Sequence, residues 1–125
     1  MNSLKLNLDK KELYKLNDFI KEVIGKEDFQ VELICEEIFV NIVEYSNTDF
    51  VKVNTTFENS TLTIEFIDNG IEFNPLLNEN PKLPDTIEEA KIGGLGIFLT
   101  KNVADELKYY HKNNENHLII TKKID

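Results

Sequence analysis

The sequence predicts one domain of mixed α and β class, spanning residues 1–125. Two runs near the start repeat their apolar residues at helical spacing, while four later stretches alternate apolar and polar residues and gather in pairs. The chain has 125 residues, 41% of them hydrophobic, which suffices for one core and leaves no room for a second.

Leu4, Leu6 and Leu8 alternate with polar residues and predict a short, half-buried opening strand. Asp9 then starts a helix. Its carboxylate is placed to cap the first turn, Glu12 takes the reciprocal position, and Leu13, Leu16, Ile20, Val23 and Ile24 form the apolar stripe up to Gly25, which stops it. A second helix is expected from about Asp28 to Ser46, burying Val31, Ile34, Cys35, Ile38, Ile42 and Tyr45. Residues 50–57 carry Val51, Val53, Thr55 and Phe57 on one face, residues 61–67 carry Leu62, Ile64 and Phe66, and Glu58-Asn59-Ser60 reads as the turn of a hairpin. Between 68 and 95, Pro75, Pro81 and Pro84 with several Asn and Gly residues exclude one continuous regular element. A lid-like working loop and an inserted segment without order both satisfy that pattern. A helix from about Gly96 to Leu107 and a last hairpin, 108–112 with 117–124 around residues 113–116, complete the order.

The formal charge of -9 argues against binding a phosphate backbone, so no nucleic acid is expected as a partner. All fourteen basic residues are lysine, so any guanidinium fork for a phosphate must come from another protein. The lone Cys35 has no intrachain disulfide partner, and no apolar run has membrane or signal-peptide length. No membrane association and a cytoplasmic location are expected.

Three strings carry the chemistry. In EEIFVN, taking Val31 as zero, the stripe falls between roughly 300° and 40°, with Glu37 near roughly 240°, Asn41 near roughly 280° and Glu36 on the far side at roughly 140°. Glu37 and Asn41 therefore sit at the lip of the core. On their own they read first as the polar margin of an amphipathic helix, and otherwise as a base and a hard-cation ligand facing one cavity. In DNGIEFNP, Asp68 either closes a tight turn through its side chain or accepts a hydrogen bond from an exocyclic amine such as that of adenine, with Gly70 leaving space for a flat ring. Phe73 and Pro75 would wall or anchor that loop. In GGLG, residues Gly93, Gly94, Leu95 and Gly96 precede an apolar helix start, which reads as a hinge or as a seat for phosphate on bare amides. Neither GxxxxGK[ST] nor GxGxxG is present. Lys101 follows in the second turn, as solvated surface or as added positive charge near phosphates. His111 and His117 read as surface histidines, Cys35 as core, and no serine has a histidine placed to activate it.

In this order and spacing the strings resemble the GHKL ATPases, whose members include gyrase, MutL and the histidine kinases, and most of all the small anti-sigma-factor serine/threonine kinases. The family's ExxxN is matched by Glu37 and Asn41, its DxGxxFxP by Asp68, Gly70, Phe73 and Pro75, and its second glycine box by Gly93, Gly94, Leu95 and Gly96. The resemblance implies a Bergerat-type two-layer α/β sandwich, a mixed, mostly antiparallel sheet with helices on one face and an ATP lid at about 75–92. It implies Glu37 as general base, Asn41 as ligand of Mg²⁺, Asp68 with Gly70 as reader of adenine, and the second glycine box as cradle for the phosphates of ATP. The implied function is an ATP-dependent anti-sigma-factor kinase that phosphorylates a STAS-type antagonist, binds a sigma factor and forms a homodimer. A non-catalytic module gated by ATP or ADP is the alternative. The ATP-binding part of a histidine kinase fits less well, because neither histidine lies on a dimerisation helix. One departure stands out: relatives often place a histidine or lysine about one turn beyond the asparagine, where this chain has Glu44 and Tyr45. The expectation is uncompensated phosphate charge beside Glu44 and weaker ATP binding, or greater dependence on Mg²⁺ and Lys101.

Overall fold

The structure is a computed structural model and describes residues 2–45, 47–72 and 103–124, with the side chain of Tyr45 left out. Five strands, β1 (Asn2–Leu6), β2 (Val51–Glu58), β3 (Thr61–Asp68), β4 (Glu106–Lys112) and β5 (Glu115–Lys123), form one sheet in the order β1-β2-β3-β5-β4. All four pairings are antiparallel. Among the described residues, two helices, α1 (Leu13–Ile24) and α2 (Phe29–Tyr45), pack as a second layer. The common core joins Leu16 and Ile20 of α1 and Val31, Ile34, Cys35, Ile38 and Phe39 of α2 to Leu6, Val51, Val53, Leu62, Ile64, Phe66 and Ile120 of the sheet. This is the two-layer α+β arrangement expected.

The opening strand stops at Leu6, and Leu8 lies beyond it, 37% exposed. The chain turns earlier because Asp9 caps a 3₁₀ turn, Lys10–Glu12, by accepting from Lys11 N at 2.9 Å. The reciprocal half of the expected capping box is absent. Glu12 instead accepts from the backbone N and Nδ2 of Asn7 at 3.3 and 3.1 Å and pairs with Lys15 at 2.7 Å. That lysine, first among the causes, holds the Glu12 carboxyl below its usual range. Gly25 ends α1 in the left-handed region (φ 77°), its N–H donating to Lys21 O at 2.8 Å. Asp28 caps α2 by accepting from Val31 N at 3.1 Å. Phe39, absent from the expected stripe, is fully buried, because α2 is covered by α1 as well as by the sheet and so buries a wider arc.

Both hairpins close in two-residue turns of left-handed residues, Asn59-Ser60 (φ 52° and 60°) and Asn113-Asn114 (φ 55° and 62°). This turn type matches the twist of the flanking strands. The second turn is shorter than the four residues expected, so Glu115 and Asn116 belong to β5. The helix expected to reach Leu107 ends sooner, since β4 begins at Glu106 and Leu107 pairs with Ile120. Asp105 fixes that entry: its N–H donates to Thr121 O at 2.9 Å, and its carboxylate accepts from Lys123 N at 2.5 Å.

Gly25→Ala should destabilise the chain by about 1 kcal/mol through left-handed strain alone, because a Cβ there meets nothing within 4 Å. Phe39→Ala should cost about 3–5 kcal/mol by leaving a cavity where α1, α2 and the sheet meet. Chemical denaturation midpoints measure both, and a smaller loss for Phe39→Ala than for Gly25→Ala would contradict this packing.

Candidate functional site

One transverse row crosses all five strands at a single end of the sheet: Leu6, Val51, Asp68, Asn116 and His111 are successive register partners. Directly paired residues share a face, so all five lie on the helix-covered side. The row changes from apolar to polar at Asp68. Asp68 and Asn116 are each only 6% exposed, which for a carboxylate and an amide demands polar partners. Asp68 Oδ1 accepts from Gly70 N at 2.9 Å and from Asn116 Nδ2 at 3.0 Å. Asn116 Nδ2 also donates to Ile71 O at 2.9 Å, and Asn116 Oδ1 accepts from the hydroxyl of Tyr109 on β4. These contacts fix which way the amide points and through it the plane of the carboxylate.

The Asp68 side chain thus does close the turn, as the plainer reading of DNG expected. It is also a buried, oriented acceptor beside a residue without a side chain. Such a group can select a flat heterocycle carrying an exocyclic amine. Sequence reading left Asn116 and Tyr109 out of the site. Asn116 was hidden in a run of turn-forming residues, and only the length of the turn, set by Asn113 and Asn114, moves it onto the strand facing Asp68.

The loop after β3 is fastened to the segment that leads into β2. Asn69 Oδ1 accepts from Asp49 N at 2.8 Å and lies 2.5 Å from Thr48 Oγ1, Asn69 N donates to Thr48 Oγ1 at 2.9 Å, and Asn69 Nδ2 donates to Asp49 Oδ2 at 3.1 Å. Thr48, 5% exposed, is therefore the rivet between the segment leaving α2 and the turn that carries Asp68 and Gly70. α2 presents Glu37 and Asn41, both half-buried, while Glu36 is exposed, as the helical arithmetic predicts. Burial, reinforced by the charge of Glu36, pushes the Glu37 carboxyl above its usual range. A raised carboxyl at the margin of a core can act as a proton acceptor near neutral pH.

The Glu44 carboxylate, one turn beyond Asn41, pairs with Nζ of Lys10 from the 3₁₀ turn. His117 departs from the expected surface role. Its side chain is 13% exposed on the open face of the sheet, with Nδ1 3.1 Å from Glu65 Oε2 and its ring stacked 4.4 Å from that of Tyr110. Burial pushes the Cys35 thiol up to about 12, which suits a core residue and not a nucleophile. Phe73, Pro75, the lid at 75–92, Gly93, Gly94, Leu95, Gly96 and Lys101 lie outside the described residues.

A family model for the histidine kinase-like ATPase domain matches residues 8–122. The serine/threonine-protein kinase BtrW of Bordetella bronchiseptica is 26% identical over 97 residues, covering 74% of this chain and 68% of its own. Among solved structures, the catalytic domain of histidine kinase ThkA in a nucleotide-free form superposes with a TM-score of 0.58 at 14% identity, covering 98% of this chain and 96% of that one. The Acinetobacter baumannii histidine kinase AdeS gives a TM-score of 0.54 at 10% identity, covering 100% of this chain and 68% of that one. At such identities the two structures establish the fold, and the family match, which takes in α1, α2 and all but the first strand, establishes the relationship. The chain belongs to the histidine kinase-like ATPase family of GHKL type.

Proposed function

We propose that this chain is an ATP-dependent serine/threonine protein kinase acting as an anti-sigma factor, with a STAS-type antagonist as phosphate acceptor and a sigma factor as second partner. A homodimer in the cytoplasm goes with this reading. The observation that carries it is the buried Asp68 carboxylate, held by Gly70 and Asn116, with Glu37 and Asn41 half-buried on the helix that precedes this end of β2. The similarity to the kinase BtrW supports transfer to a protein hydroxyl.

In this reading Asp68 takes the adenine amine, Gly70 leaves space for the ring, and the amides of Gly93, Gly94, Leu95 and Gly96 receive the phosphates. Asn41 offers one amide oxygen to Mg²⁺. An amide oxygen is a hard donor that suits Mg²⁺, an ion that usually keeps several waters and takes one or two protein ligands beside phosphate. Bound there, Mg²⁺ would offset charge on the phosphates. The acceptor hydroxyl oxygen bonds to the γ-phosphorus, the bond from that phosphorus to the bridging oxygen of ADP breaks, and the hydroxyl proton passes to Glu37. Its raised carboxyl keeps the proton-accepting form matched to this task.

Glu37→Gln should leave ATP affinity within about twofold and slow single-turnover transfer to the antagonist by at least about a hundredfold. Full transfer by the variant would remove Glu37 from the chemistry, and normal ATP binding without transfer in the wild type would favour the nucleotide-gated module instead. The folded carboxyl binds its proton more tightly than the unfolded one, so the wild type should lose stability relative to Glu37→Gln as pH rises through that raised pKa. Thermal melts across pH 4 to 8 measure the difference. Asn116→Ala should weaken ATP binding about tenfold by freeing the Asp68 carboxylate, as read by titration calorimetry.

A further inference from the structure

Glu44 lies on the same strip of α2 as Glu37 and Asn41, at roughly 220° beside roughly 240° and roughly 280°. Resting on the nucleotide reading above, this places a second acidic side chain beside an incoming polyphosphate, in a chain of net charge -9 without an arginine. The structure answers that charge from a different element. Nζ of Lys10 pairs with Glu44 Oε1, and Lys10 stands on a turn tied down on both sides, by Lys11 N donating to Asp9 Oδ1 at 2.9 Å and by Glu12 N donating to Asp9 O at 2.8 Å. Asn7, Leu8 and Asp9 connect this turn to Leu6, the first member of the transverse row that contains Asp68. Lys10 thus follows the β1 end that carries Leu6 and pairs with the last turn of α2. Its side chain remains 57% exposed against 30% for Glu44, so the ammonium faces solvent while it holds the carboxylate. An ammonium has three donors and can hold a carboxylate and a phosphate oxygen at once.

We propose that Lys10 is the charge-compensating residue of the polyphosphate site, setting nucleotide affinity according to the number of phosphates. An exposed ion pair contributes little to folding, so this role is separable from stability. The experiment titrates wild type, Lys10→Ala, Lys10→Arg, Glu44→Gln and the double variant Lys10→Ala/Glu44→Gln with adenosine, ADP and ATP in excess Mg²⁺, with melting temperatures measured alongside. Lys10→Ala should weaken ATP about tenfold, ADP less and adenosine not at all, the size expected of one charge near a protein surface. Lys10→Arg should keep wild-type affinity, the double variant should regain most of what Lys10→Ala loses, and melting temperatures should stay together. Equal loss for adenosine and ATP, or no loss for ATP, overturns the proposal and leaves the nucleotide reading intact. A wild type that binds none of the three overturns both.

Discussion

The pairing of β3 with β5 in the register that sets Asp68 opposite Asn116 is the constraint on which the candidate site depends. Burying a carboxylate is costly, and here the cost is offset by an amide from the neighbouring strand and a backbone N–H from the following turn. Because the side-chain period of a strand is two, a shift by one residue would send Asn116 to the open face and leave Asp68 without this donor. The register is held from within the core by Phe66 opposite Leu118 and Ile64 opposite Ile120. Apolar packing therefore fixes the geometry of the polar site.

A second constraint links the layers. Thr48 joins the segment between α2 and β2 to the loop after β3 with a hydroxyl that is itself buried, so the chain that follows the helix bearing Glu37 and Asn41 is tied to the turn bearing Asp68 and Gly70. Across the sheet the surroundings differ in kind. On the open face Glu65 links Asn54 of β2 to Tyr110 and His117, a chain of side-chain contacts that ties four strands together. The two faces divide the polar residues between a candidate site and a brace.

Much of this was legible in the sequence, for definite reasons. Strings with fixed spacing, Glu37 to Asn41 and Asp68 to Gly70, declare themselves because both members of each lie on one element or its turn, where spacing alone sets which side chains are neighbours. The helices were legible through their caps, Asp9, Gly25 and Asp28, although the 3₁₀ start and the broader burial around Phe39 depend on what packs against them. Asn116 and Lys10 were not legible. One depends on whether a hairpin turn takes two residues or four, which the left-handed conformations of Asn113 and Asn114 decide. The other depends on a tertiary contact between residues 34 positions apart, Lys10 and Glu44, that no local pattern encodes.

The central claim, that an adenine nucleotide seats on Asp68 at this end of the sheet, is met most directly by amide hydrogen exchange with and without Mg-ATP. The account predicts slowed exchange at Gly70, Ile71 and the start of β5 around Asn116, with β1 and the far ends of β2 and β3 unchanged. Exchange unaltered at Gly70 and Asn116, or slowed only on the open face around Glu65 and His117, would contradict it.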